Sequence, residues 1–410
     1  MIYKIKLLFI LLISSICVSY ASSGHQSFAN ILNYGGTPDG ETSNTVAIRN
    51  AIDACAEKGG GTIYFPAGTY LTGPIILKDN ITLFIDAGAT LLFSDDFTEY
   101  PPVKTRWAGI RCWGHTPLIF GDDVKNVAII GRGILDGQGK TWWDRFNVVR
   151  KIEDYQPETE MEKQFAKLNQ GITGGFMEWA CYNFRPPFIQ LMRCENVLIE
   201  GVTIKDSPFW NIHPVFSKNI TIQDVTIISP EKSENTDGID IDSSQKVRIS
   251  NCHINVGDDC IVLKSGMDED GRAVGIPTED VAIINCTMEH GHGGVVIGSE
   301  TSGDIRNVVV SNCVFNGTDR GIRLKTRRGR GGIVENIRVS NIIMRNIGEA
   351  LTINMHYWTD TAKEEVSERT PRFKNIHINQ ITSLNARSAG TIIGLEEMPV
   401  DGIQLTDVVL

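Results

Sequence analysis

Lys246-Val-Arg-Ile-Ser-Asn-Cys252, Asp280-Val-Ala-Ile-Ile-Asn-Cys286 and Asn307-Val-Val-Val-Ser-Asn-Cys313 are one phrase written three times. A polar residue opens it, apolar residues alternate, and Asn followed by a small residue closes it. Looser copies begin at Asn80 (NITLFID), Asn126 (NVAIIG), Asn196 (NVLIEG), Asn219 (NITIQD), Asn336 (NIRVSNI) and Asn375 (NIHINQI). From Asn196 onward the starts are 23, 27, 34, 27, 29 and 39 residues apart. Alternation over four to six residues is the strand signal, and a recurring interval of this size marks a solenoid. A propeller blade needs four strands per unit, which these units are too short to hold. A leucine-rich repeat would carry a Leu consensus, and there is none. The expected fold is therefore all-β, a single-stranded right-handed parallel β-helix built without hairpin turns.

Stacking the copies aligns like with like. Asn251, Asn285, Asn312 and Asn341 fall in one column, as expected of an amide ladder at a turn. Cys252, Cys286 and Cys313 fall in the next, where small buried hydrophobes explain them better than metal or disulfide. Upstream, residues 44–56 carry apolar residues at helical spacing behind Asn44, a candidate N-cap. Such a helix would cover the open first edge of the solenoid, which would otherwise aggregate. Residues 137–187 interrupt the rhythm with Trp142, Trp143, a helix-like run from Glu158 to Lys167, and an aromatic stretch from Phe176 to Phe184. Gly402 to Leu410 reads as another strand, with a C-terminal cap expected beyond it.

Residues 1–21 read as a cleavable export signal: Lys4 and Lys6, an apolar run from Leu7 to Val18, then Ser19-Tyr20-Ala21. Ile16 is bulky where a lipidated Cys17 would need a small neighbour, so a secreted or periplasmic protein is expected rather than a lipoprotein. No later stretch is long and apolar enough to span a bilayer. One domain then occupies residues 25–410. Eight cysteines remain after cleavage, an even number that permits disulfides in an exported protein. The formal charge of −10, from 39 Lys and Arg against 49 Asp and Glu, argues against general affinity for nucleic acid or anionic membranes.

Between residues 235 and 330 four successive coils change character. They read NTDGIDID (Asn235–Asp242), GDDCIVLKSG (Gly257–Gly266), GHGGVVIGSE (Gly291–Glu300) and RGIRLKTRRGR (Arg320–Arg330). Their apolar pairs superpose as Ile239/Ile241, Ile261/Leu263, Val295/Ile297 and Ile322/Leu324. That register puts Asp237 level with Asp259 and Asp258 level with His292, while Lys264, Arg323 and Lys325 share the outer face. Carboxylates one rung apart repel, which raises the proton affinity of one and leaves it a proton to give. Glycosidic cleavage needs that division, with one acid for the leaving oxygen and one base for water. The cations would neutralise a substrate that is itself carboxylated.

These motifs resemble the polygalacturonase family of glycoside hydrolases, numbered 28, whose order is NTDG, DD, GHG and R-[IV]-K; Ser207 to His213 (SPFWNIH) resembles it too. The resemblance implies that Asp258 is the general acid and that Asp237 and Asp259 hold and activate water for an inverting attack. It implies that His292 sets the protonation of Asp258, that Arg323 and Lys325 grip the sugar carboxylate on the leaving-group side, and that Asn235 contacts substrate. Lys264 is a further candidate binding cation. Leu324 stands where the family has a β-branched residue. The implied partner is a pectic, galacturonate-containing polysaccharide, acted on by a monomer without metal or cofactor. The 137–187 insertion, similar to the longer loops of exo-acting bacterial members, is placed to close one end of the cleft. The alternatives are an endo-polygalacturonase, a rhamnogalacturonan hydrolase, a pectate lyase (which leaves the four motifs unexplained) and a non-catalytic carbohydrate-binding β-helix.

Overall fold

The computed structural model describes residues 27–410, apart from 176, 178–183, 359 and 360. The export segment, and most of the Phe176 to Phe184 stretch, lie outside the described residues. The remainder is a parallel β-helix of three faces. The first is built from the repeated phrase: 61–65, 81–85, 125–131, 195–200, 218–223, 245–250 and 278–284 stack in parallel, each on the last. The second face follows each phrase with a short strand such as Thr226–Ile228, His253–Asn255 and Thr287–Glu289. From Ile305 onward the two faces join, because the strands Ile305–Asn316, Ile333–Arg345 and Arg372–Leu384 run through the corner between them. The third face is a separate ten-stranded parallel sheet from Ile75–Ile76 to Ser388–Ile393.

Stacking in register makes the core a set of columns. Val127, Val197, Ile220, Val247, Val281, Val308, Ile337 and Ile376 pair in succession, and all are buried. Cys252, Cys286 and Cys313 are likewise buried, and they are free thiols; among the described residues the cysteines are unpaired. The corners need backbone with positive φ, which Asn tolerates better than most residues. Asn251, Asn285, Asn312 and Asn341 take φ of 57°, 56°, 58° and 54°. Their ladder is present, Asn285 donating to Asn251 at 3.3 Å and Asn341 to Asn312 at 2.8 Å. A longer ladder, unforeseen in the sequence, uses the residue that opens each phrase. Asn126 donates to Asn80, Asn196 to Asn126 and Asn219 to Asn196 at 2.6–2.9 Å; Lys246 interrupts the run, which resumes with Asn307 on Asp280, Asn336 on Asn307 and Asn375 on Asn336.

Helix α1 (Thr45–Ala56) buries Ala47, Ile48, Ala51, Ile52 and Cys55 against the first coil. Asn44 precedes it as expected, but its side chain does not cap the helix. It accepts from the Thr37 amide at 2.7 Å and donates to Thr42 and Leu71 carbonyls, tying the entry of α1 to the neighbouring strand. The interrupting segment holds α2 (Lys140–Val149) and α3 (Glu160–Leu168), the latter started by a Thr159/Glu162 capping box. The expectation of no hairpins fails once. Pro102–Trp107 and Ile110–His115 pair antiparallel across Ala108 and Gly109, both at positive φ, a turn lacking the Asn-Gly signature. The hairpin, α3 and Phe209–Trp210 enclose a second apolar cluster around Phe165 and Trp107. Among the described residues no helix is long and apolar enough to cross a membrane.

Candidate active site

The ten-stranded sheet positions the site. Its register is the one the apolar pairs dictate: Ile239 pairs with Ile261, Ile261 with Val295 and Val295 with Ile322. Alternation against Ile322 and Leu324 throws Arg323 and Lys325 outward. Asp237 and Asp259 meet them from the entry of their own strands, where the alternation of Ile239/Ile241 and Ile261/Leu263 has not yet begun or just starts. Gly291 has φ of 84°, and a Cβ there would sit 2.4 Å from the Asp258 carbonyl, so only Gly lets that rung approach. All eight predicted residues, Asn235, Asp237, Asp258, Asp259, Lys264, His292, Arg323 and Lys325, line one cavity of about 1030 Å³.

Oxygens of Asp237, Asp258 and Asp259 lie within 4.8 Å of one another. Lys325 donates to Asp259 at 2.7 Å, with Arg323 3.5 Å away on the other oxygen. Lys264 is buried, 3.9 Å from Asp237, 3.6 Å from Asp240 and 3.5 Å from Glu300. Its ammonium sits 4.4 Å from the centre of the Trp210 ring. In the free protein these cations therefore face the protein's own carboxylates. His292 Nδ1 meets Asp258 Oδ1 at 3.0 Å, and Asn235 Nδ2 reaches the other Asp258 oxygen at 3.4 Å.

Protonation follows from these contacts. Burial, then the neighbouring Asp258 charge, holds the Asp237 carboxyl well above the usual carboxylate range. Asp240 is raised by burial and by Asp237. Burial acts the same way on Asp258, but His292, Lys325 and Lys264 outweigh it and hold that carboxyl low. The Asp258 hydrogen bond lifts His292 to about 9 against partial burial. The split expected between adjacent carboxylates is thus present. Its high member in the free protein is Asp237, whereas Asp258 shares its proton with an imidazole.

The sequence profile described as Glycosyl hydrolases family 28 matches residues 178–410, and one described as Rhamnogalacturonase A/epimerase, pectate lyase-like matches residues 28–178. The chain belongs to glycosyl hydrolase family 28. A probable polygalacturonase of Vitis vinifera is 34% identical over 93% of this chain and 74% of its own length. An exo-poly-alpha-D-galacturonosidase of Dickeya chrysanthemi is 30% identical over 80% of this chain and 57% of its own. The crystal structure of a hyperthermoactive exopolygalacturonase from Thermotoga maritima superposes with a TM-score of 0.82 at 35% identity, covering 93% of this chain and 86% of that one. As a family 28 member the protein is a glycoside hydrolase.

Several groups that shape this family 28 site were not singled out in the sequence. Tyr357 lies under Arg323 and Lys325, its ring centre 5.3 and 5.1 Å away. Arg106, from the hairpin, is fully buried and donates to Asp242 at 2.9 Å and Ser243 at 2.8 Å. His213, of the SPFWNIH stretch, is buried between Gln190 and Asp242. Phe146 and Arg150 reach the cavity from α2 and its C-terminal end, and Arg150 is ion-paired with Glu234 beside Asn235. Asp240 and Asp242 stood inside a quoted motif, and their outward alternation against Ile239 and Ile241 was the signal that could have flagged them.

Proposed function

We propose that the protein is a polygalacturonase that releases single galacturonate units from the non-reducing end of pectic chains. The observation that carries this is the meeting of four motifs in one cavity, three carboxylates facing Arg323 and Lys325. A neutral glycan would not need that much positive charge. A carboxylated sugar on the leaving-group side exchanges the Asp259 contact of these cations for its own carboxylate. Asp258 and His292 together hold one proton across their 3.0 Å contact and deliver it to the glycosidic oxygen. The C1–oxygen bond breaks, a water oxygen bonds C1, and the water proton enters the Asp237/Asp259 pair, leaving the charge of the cluster unchanged.

The carboxylate spacing sharpens the stereochemistry. Most inverting pairs stand about 6.5–9.5 Å apart with water between them; here the oxygens lie within 4.8 Å. An inverting attack here needs its water held by Asp237 and Asp259 together rather than between acid and base. Proton NMR of the first product is expected to show the β-anomer; the α-anomer would require a covalent intermediate instead.

The exo mode is supported by Phe146 of α2 and Arg150 just after it, which the interrupting segment adds to the cavity lining, and by the likeness to exo-acting relatives. On polygalacturonate, monomer alone should appear while viscosity falls slowly. Early intermediate oligomers with rapid loss of viscosity would make the cleft an open, endo-acting one. We place this activity outside the cytoplasm, on the strength of the apolar run behind Lys4 and Lys6.

A further inference from the structure

Arg185 lies at the end of the interrupting segment, far in sequence from every catalytic motif, and it is among the largest fully buried side chains. Its guanidinium is sandwiched, 4.0 Å from the ring centre of Phe146 on α2 and 5.1 Å from that of Phe209. Nη1 donates to the Glu234 carbonyl at 2.7 Å and to the Pro208 carbonyl at 3.2 Å. Nη2 donates to Asn235 Oδ1 at 2.6 Å. A guanidinium carries donors and no acceptor, so the atom it meets on Asn235 is the amide oxygen. The amide nitrogen must then face the other way, where Asp258 Oδ2 stands 3.4 Å from it.

We infer that Arg185 is a positioning residue for hydrolysis: it fixes which edge of the Asn235 amide meets Asp258, and so holds an N–H donor against the carboxyl that gives up the proton. The inference rests on the proposed role of Asp258. When the shared proton leaves the Asp258/His292 pair, the Asp258 carboxylate loses its charged partner, and a donor already aligned supports that charge without reorganisation. Without Arg185 the amide is free to turn and set oxygen against carboxylate. Three hydrogen bonds donated by Arg185 and the aromatic rings on its faces hold it in one orientation. Because Phe146 supplies one of those rings, α2 is tied to the catalytic rung as well as to the cavity wall.

Arg185→Lys keeps a buried cation but loses the planar fork. On polygalacturonate its kcat should fall about 10- to 100-fold, below the full loss of a transition-state donor, with KM within about threefold. Asp258 also faces His292, Asp237, Asp259, Lys264 and Lys325, and all of these are retained. The alkaline limb of the pH profile should move to higher pH, since the charged form of Asp258 loses a donor. Asn235→Asp is the second arm: Arg185 stays paired while the donor to Asp258 gives way to a charged carboxylate oxygen, so the fold is kept and kcat falls at least as far. The double variant should be no slower than Asn235→Asp alone. Parental kcat and profile in Asn235→Asp, or in folded Arg185→Lys, or additive losses in the double variant, would overturn the inference. Asp258→Asn, assayed alongside, separates the two claims. If it retains turnover, the acid assignment fails; if it is inactive while Arg185→Lys is parental, only the positioning role fails.

Discussion

The phrase face and the ten-stranded face obey the same stacking rule and use it in opposite ways. At the corners of the phrase, stacking sets Asn on Asn and Cys on Cys, and each added rung repeats a favourable contact. On the other face, stacking sets Asp237 level with Asp259, and Asp258 beside them, where each added carboxylate is a cost. That cost is met by cations from other rungs: Lys264 among Asp237, Asp240 and Glu300, and Lys325 on Asp259. In this solenoid, repetition stabilises and departure from repetition reacts.

The sharpest way to break that comparison is to substitute once on each face. Asp258→Asn should lower kcat by about 10³- to 10⁴-fold, the upper range for a general acid, with substrate binding and unfolding midpoint preserved. Near-parental turnover would remove Asp258 from the chemistry. Ile220→Ala, in the middle of the core column, should do the reverse. A loss of about 2–5 kcal/mol is expected in denaturant unfolding, with kcat/KM of the folded fraction unchanged.

Smaller effects refine the contrast. His292→Gln removes the partner that carries the shared proton, which has a pKa of about 9 beside Asp258. His292 is protonated below that value and loses its proton above it. The alkaline limb of kcat/KM should therefore move to lower pH in the variant; an unmoved limb would show that His292 does not set it. The charged His292 adds stability that is complete below its ordinary value of 6.5 and is lost as pH rises through about 9. Asn196→Ala, in the middle of the longer ladder, breaks hydrogen bonds to Asn126 and Asn219 on an exposed corner. It should cost about 1–2 kcal/mol by unfolding, two modest bonds' worth, and leave activity untouched.

What the sequence made legible was whatever repeats. Ile239, Ile261, Val295 and Ile322 align on sequence alone, and once aligned they set Asp237 level with Asp259 and turn Lys325 outward. Asn44 shows a first limit: its place before α1 followed from apolar spacing, but its side chain answered to Thr37 and Leu71, which no local rule connects to it. Arg106 and Arg185 show a second. They reach the site from the hairpin and the interruption, where there is no period, and nothing marks an isolated Arg as buried. The longer Asn ladder was missed for another reason. Asn opens so many phrases that it read as punctuation, although the αL corner makes it a structural requirement.

The ten-stranded sheet also has a kinetic reading. The rungs that carry Asp237, Asp258, His292 and Arg323 belong to its fifth to eighth strands, with four before and two after. In a solenoid each rung touches only its neighbours, so opening begins at a terminus and travels inward. Helix α1 covers the far terminus. On the other side of the site, Ser388–Ile393, the last strand of this sheet among the described residues, lies two rungs from Arg323 and Lys325, with Glu349–Asn354 between. Opening that travels inward through those rungs reaches the cation pair before any aspartate. A partly opened molecule therefore loses its grip on a charged sugar while its acid and base are still in place, and its first symptom on warming is a rising KM, not a falling kcat.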